Sequence, residues 1–107
     1  MSKIFYDHLL VLNEVEGAIR LNVSSLEEKE ELWQIIDELI HHRVMAIILE
    51  NLPREHHEEF LEKFTLAPYD QKLIVYLNDK SAKKIEDLIR KEAKKIESEI
   101  IKEIKKR

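Results

Sequence analysis

Four of the five histidines lie in two adjacent pairs within a short acidic stretch, His41-His42 and His56-His57. Glu38 lies three residues before His41 and four before His42, so on a helix its carboxylate and these imidazoles would share one side. Carboxylate-bridged di-iron bundles use Glu-x-x-His on two helices and a glutamate from each of two more. One interpretation of this stretch is therefore an iron or zinc site made by Glu38, His41, His42, His56 and His57.

The chain contains one such Glu-x-x-His motif, whereas a di-iron bundle uses two. A symmetric dimer would supply the second motif, with Glu14 or Glu16 as a bridging ligand. The competing interpretation is that the four paired histidines are polar residues beside a helix corner, since short motifs often occur without a bound metal. We favour this second interpretation and expect no cofactor, with the metal site as the alternative.

Several kinds of catalytic site are missing from the sequence. The chain has no cysteine, so it cannot form a disulfide, a thiol nucleophile or a zinc–thiolate site. It has no glycine-rich phosphate loop, nucleophile elbow or zinc-type HExxH motif. His8 lies between Ile4 and Leu12 on a predicted apolar face, where a hydrogen-bonded core residue is more common than a ligand. We therefore expect no catalytic residue and favour a non-enzymatic protein.

The charge is unevenly distributed along the chain. Residues 1–80 carry 8 Lys and Arg against 16 Asp and Glu, whereas residues 81–107 carry 10 against 6. A basic helix can bind a phosphate backbone, so weak binding of nucleic acid is a further alternative. Glutamates interrupt the basic run, no aromatic residue follows Tyr76 to stack on bases, and the body is acidic. These features argue against nucleic acid as a partner.

The composition favours an all-α fold. The 107 residues include one glycine and two prolines, and 37% are charged. A sheet protein needs more turn-forming residues, so we predict one domain over residues 1–107, a small bundle of four to five helices with two long ones. The longest apolar run, residues 44–49, is too short to cross a bilayer, and the N-terminus does not resemble a signal peptide. We therefore expect a cytoplasmic protein without a membrane partner.

Apolar spacing and capping residues predict the first two helices. The first covers residues 3–20, and its apolar face would carry Ile4, His8, Leu12, Val15 and Ile19. The second begins after Ser24 or Ser25, each of which is followed three residues later by a glutamate and can form a capping box. It should extend over residues 26–51.

Three further helices are predicted after residue 51. Pro53 fits the first turn of a third helix that ends near Phe64. Residues 69–77 predict a short fourth helix, with a strand as the alternative because the segment is rich in strand-forming residues. Ser81 is the predicted N-cap of a last helix that reaches the C-terminus. This last helix forms a basic, amphipathic segment over residues 81–107, after an acidic body of residues 1–80.

The last predicted helix carries an apolar stripe along its whole length. It would be roughly 39 Å long, whereas a compact body of 80 residues is about 30 Å across. The stripe should then pack along the second helix and also against another subunit, so we predict a homo-oligomer. Its interface would use Val44, Ile47, Ile48, Ile89, Ile96, Ile100 and Ile104. This favours a protein–protein interaction or assembly module, with an unidentified protein as an additional candidate partner.

The end of the second predicted helix has the pattern R-V-x-x-x-I-L-x-x-L-P, from Arg43 to Pro53, and Phe60-Leu61 and a long Glu/Lys helix follow. Over about residues 27–101 the sequence thereby resembles a group of short helical proteins of unknown function from small candidate-phylum bacteria. The resemblance implies a helical fold and brings no activity with it. The histidine pairs are not part of the shared pattern, so the resemblance does not bear on the metal hypothesis.

Overall fold

The computed structural model describes residues 4–106, which form five α-helices and two short 3-10 helices. The α-helices are α1 (Asn13–Asn22), α2 (Leu26–Asn51), α3 (His57–Leu66), α4 (Lys72–Lys80) and α5 (Ile85–Lys105). The 3-10 helices, Asp7–Leu9 and Arg54–His56, precede α1 and α3. The described residues contain no strand, so the all-α prediction is confirmed and the strand alternative for residues 69–77 is wrong.

The two long helices, α2 and α5, pack side by side and antiparallel. Arg43, in the second half of α2, contacts Glu92 in the first half of α5, whereas Leu32 shares a groove with Ile104 near the end of α5. The 26 residues of α2 span roughly 39 Å, which accounts for most of the 45 Å length of the molecule. With 21 residues, α5 is shorter than α2. It therefore does not overhang the body in the way that its predicted length implied.

The core is built from one apolar stripe on each long helix. The buried residues of α2 recur at every fourth position and are Leu32, Ile36, Ile40, Val44 and Ile48. The buried residues of α5 are Ile85, Ile89, Ile96, Ile100 and Ile104. Fully burying a side chain of this size contributes about 1.5–3 kcal/mol. The contact between the long helices is therefore a major source of stability.

The N-terminal segment differs from the predicted helix over residues 3–20. The chain makes a 3-10 turn at Asp7–Leu9, and α1 begins only at Asn13. Phe5 and Tyr6 are both buried, whereas the predicted helical face through Ile4 and His8 would not bury both. His8, which was predicted to lie on the apolar face, is exposed. The nitrogen of Phe5 donates to the oxygen of Pro68 over 2.8 Å, and the Gln71 side chain donates to the oxygen of Phe5 over 3.0 Å. Packing of two adjacent aromatic side chains thus overrides the local helical pattern.

The long helices begin in two different ways. For α2, the hydroxyl of Ser25 accepts from the backbone nitrogen of Glu28, so the predicted cap is correct and Ser25 is the residue that provides it. For α5, the predicted start at Ser81 is wrong, since the helix begins at Ile85. There the side-chain oxygen of Asn78, in α4, accepts from the nitrogen of Ile85 over 2.8 Å. The cap therefore comes from the preceding helix.

A membrane-spanning helix needs about 20 predominantly apolar residues. The two helices of sufficient length, α2 and α5, carry charged residues along their outer sides. Across residues 4–106, no helix has both the length and the apolar character for a membrane span.

Candidate interaction site between the two long helices

His41 lies on α2 and contacts two aromatic side chains. Its Nδ1 is 3.2 Å from the hydroxyl oxygen of Tyr6, and its ring stacks on Tyr6 and Phe64 with centroid distances of 6.5 Å and 5.7 Å. Burial raises the pKa of Tyr6, so the phenol keeps its proton at neutral pH and can donate a hydrogen bond to Nδ1 of His41. His41 thereby holds the N-terminal segment against α2.

The other predicted ligands lie apart from this contact. Nε2 of His57 donates to the backbone oxygen of Leu52 over 2.7 Å and closes the corner between α2 and α3. His56 is partly buried in the short 3-10 helix, whereas Glu38 and His42 are exposed on α2. These side chains therefore occupy a helix corner and a helix surface.

These positions do not create a metal site within one chain. Among residues 4–106, no three His, Asp or Glu side chains come close enough together to hold a metal ion. His41 and His57 each use a ring nitrogen in a hydrogen bond to the same chain. The metal hypothesis is thereby restricted to a site shared between two copies, and in that form it stays a prediction.

The residues predicted for the oligomer interface lie inside the single chain. Six of the seven have exposed fractions of 0–5%: Val44, Ile48, Ile89, Ile96, Ile100 and Ile104. The seventh, Ile47, is half-buried and packs against the same core. Because α5 covers the α2 stripe directly, one chain buries the apolar surface that was assigned to a second subunit. A contact with another copy would have to use other side chains.

An apolar groove remains open between the first half of α2 and the last turns of α5. Its volume is about 490 Å³. The buried residues beneath it are Leu32, Ile36, Ile100 and Ile104. Ile35 and Leu39 line its α2 side and have exposed fractions of 58% and 36%. Two large aliphatic side chains are thus partly exposed next to each other above an apolar floor.

Arg43 closes the groove toward the middle of α2. Its guanidinium donates to Glu92 over 2.7 Å and also to Glu99. These hydrogen bonds, the one to Glu99 above all, raise the pKa of Arg43 further above its usual range, so it stays charged. The carboxylate of Glu99 is accordingly compensated within the chain, although it lines the groove.

The opposite end of the groove carries exposed charges of both signs. Lys102, in the last turn of α5, and Lys106, just after the helix, line it together with Glu103. Lys106 lies 3.6 Å from the exposed carboxylate of Glu103, a contact that contributes little at an exposed position. Glu28 and Glu31 are exposed on α2. Glu31 lies three residues after Glu28 and four before Ile35, so all three residues are on the same side of the helix. Within residues 4–106, no ion pair joins these two glutamates to the two lysines.

The interface predicted from the sequence includes neither Ile35 nor Leu39, so this groove was missed. The sequence does contain a pattern that indicates a second apolar stripe on α2. Ile35 and Leu39 are four residues apart and lie beside the stripe of Leu32, Ile36 and Ile40. A helix with two apolar stripes needs two neighbours, of which α5 is one.

Comparisons with protein-family models, with curated proteins and with solved structures gave no match. The resemblance to short helical bacterial proteins of unknown function therefore stays a prediction.

Proposed function

We propose that this protein is a non-enzymatic interaction or assembly module of the cytoplasm, which acts as a homo-oligomer through the groove between α2 and α5. The observation that supports this best is the exposure of Ile35 and Leu39 above an apolar floor. Single exposed aliphatic residues are common on protein surfaces, but adjacent ones in a groove with a charged border are typical of interaction sites.

A second copy of the chain suits this groove for two reasons. Exposed Glu28 and Glu31 continue its α2 side, and Lys102 lines its other side together with the Lys106–Glu103 pair, so the surface can complement itself. Two such helix pairs placed face to face would also form a four-helix bundle, in which apolar residues of all four helices share one core. The partner would then cover Ile35 and Leu39, whereas α5 of the same chain covers the buried stripe of α2.

The substitution Ile35→Lys tests this proposal. We expect the unmodified protein to form a dimer whose population rises with concentration. Placing a lysine in the centre of the interface costs about 2 kcal/mol or more, so the dissociation constant should rise by about 30-fold or more. Light scattering coupled to size-exclusion chromatography, over a range of concentrations, measures this change.

Val75→Lys is the matched control. Val75 is a β-branched apolar residue on α4 with an exposed fraction of 69%, and it does not line the groove. This variant should dimerise like the unmodified protein, and circular dichroism should show equal helix content in all three proteins. A protein that stays monomeric at every concentration would refute the proposal, as would an Ile35→Lys variant that dimerises normally.

A further inference from the structure

We infer that two copies pair about a two-fold axis that runs parallel to α2 and α5, so that α2 of each copy faces α5 of the other. This inference rests on the proposed self-assembly through the groove and specifies how the copies are arranged. The observation that supports it is an acidic pair on α2, Glu28 and Glu31, beside a basic pair formed by Lys102 in the last turn of α5 and Lys106 just after it. Both pairs lie at the same end of one apolar groove.

The antiparallel packing of the long helices brings these two pairs to one end of the molecule. Leu32 and Ile36, close to the start of α2, share the groove with Ile104, close to the end of α5. Glu28 lies one turn before Leu32, and Lys106 lies just after Ile104. The acidic and basic pairs are therefore at the same height along the groove, one on each of its two sides.

Two kinds of two-fold axis would bring the groove of one copy onto the groove of another. An axis parallel to the helices exchanges the two sides of the groove and keeps its ends, so α2 faces the partner's α5. An axis perpendicular to the helices, within the interface, exchanges the ends and keeps the sides, so α2 faces the partner's α2. Both arrangements are symmetric, and each residue contact then occurs twice.

The charges distinguish these two arrangements. With the parallel axis, the acidic pair on α2 faces the partner's Lys102 and the Lys106–Glu103 pair of the partner subunit, a region of net positive charge, and both copies gain this contact. With the perpendicular axis, the acidic pair faces the second half of the partner's α2, where Arg43 is the single Lys or Arg. Arg43 already binds two carboxylates of its own chain. Complementary charges favour correct partners and penalise like-charge contacts, so they favour the parallel axis.

The arrangement also accounts for the intrachain bond of Glu99. This glutamate lies one turn before the basic pair and lines the same groove, so as a free charge it would repel the partner's α2. Its contact with Arg43 compensates that charge within the chain. Glu103 also lines the groove and is paired with Lys106, whereas Lys102 has no ion pair among the described residues. With Glu99 and Glu103 both paired, Lys102 gives the α5 side a net positive charge toward a second copy.

A pair of charge-reversed proteins tests the inference. One carries Glu28→Lys with Glu31→Lys, which makes both sides of its groove basic. The other carries Lys102→Glu with Lys106→Glu, which makes both sides acidic. In the homodimer of each protein, like charges would face each other across the interface. We therefore expect the dissociation constant of each homodimer to rise by about tenfold or more at low salt. When the two proteins are mixed, every contact joins opposite charges, so they should form the mixed dimer preferentially.

Matched controls reverse the same number of charges on the same helices away from the groove. Glu27→Lys with Glu30→Lys keeps the change near the start of α2, and Lys91→Glu with Lys94→Glu changes α5 on the side that faces another cavity. Both controls should dimerise like the unmodified protein. Native mass spectrometry resolves the two homodimers and the mixed dimer by mass, and circular dichroism checks that each variant is folded.

The outcomes separate this inference from the proposed function. If the unmodified protein is monomeric, the proposed function fails and the inference fails with it. If the unmodified protein dimerises but the reversed proteins also dimerise normally and mix statistically, the groove can still be the interface and the inferred axis is wrong. Preferential formation of the mixed dimer, declining as salt screens the charges, is the result that supports the parallel axis.

Discussion

His41 and Tyr6 form the side-chain hydrogen bond that joins the N-terminal segment to α2. Neither residue type nor spacing indicated this pair, because the two residues are 35 positions apart in the chain. The sequence drew attention to His41 as a metal ligand through its distance from Glu38. The structure gives it another role, since its ring is stacked between Tyr6 and Phe64.

We expect His41→Ala to lower the free energy of unfolding by about 1–2 kcal/mol, the sum of one side-chain hydrogen bond and the lost aromatic stacking. His42→Ala is the matched control, because His42 is the exposed neighbour on the same helix and should change stability little. Urea unfolding followed by circular dichroism measures both variants.

The same measurement distinguishes this packing role from metal binding. If His41 stabilises the protein by packing, EDTA should leave the unfolding curve of the unmodified protein unchanged. A loss of stability on EDTA treatment, restored by iron or zinc and absent from His41→Ala, would instead support the metal site shared between two copies.

The starts of α2 and α5 show how far local sequence rules define a helix. The first cap was predictable, because Ser25 and its hydrogen-bond partner are three residues apart and every part of the motif is local. The second was not, because Asn78 reaches the start of α5 from the end of α4. Its side-chain nitrogen also donates to Glu86 over 3.0 Å. Ser81, the predicted cap, has a buried hydroxyl without a hydrogen-bond partner.

Substitutions at these two positions should therefore have unequal effects. Asn78→Ala removes a hydrogen bond from the first turn of α5, and loss of such a cap typically costs about 1 kcal/mol. Ser81→Ala removes an unpaired buried hydroxyl and should be neutral or slightly stabilising. Thermal unfolding measures the stability of both variants, and we expect Asn78→Ala to be the less stable one. A larger loss of stability in Ser81→Ala would mean that Ser81 is the true cap.

The packing of the whole molecule around α5 includes one unfavourable contact, a pair of carboxylates between α1 and α5. Two acidic side chains, Glu14 and Glu97, lie together where α1 meets α5. Burial and the neighbouring carboxylate of Glu14 raise the pKa of Glu97. Above its raised pKa, Glu97 is charged in the folded protein and destabilises it. The penalty disappears as the pH falls through that pKa and the carboxyl group takes up a proton.

Glu97→Gln should therefore stabilise the protein at neutral pH. The gain should be small, below about 0.5 kcal/mol, because solvent screens a largely accessible pair. It should shrink as the pH is lowered toward 4.5, the ordinary pKa of glutamate. Glu103→Gln, at an exposed position on the same helix, is the control. A gain that persists unchanged at low pH would show that charge repulsion is not the cause.

The helical class, the bounds of α2 and the apolar stripe of α5 were predictable from the sequence. These features follow from composition, local capping and helical spacing, all of which act within a few turns of one helix. Burial of Phe5 and Tyr6, and the exposure of Ile35 and Leu39 beside an open groove, depend on contacts between distant parts of the chain. A helix with two apolar stripes can bury either one, and the position of its neighbour determines which stripe is covered.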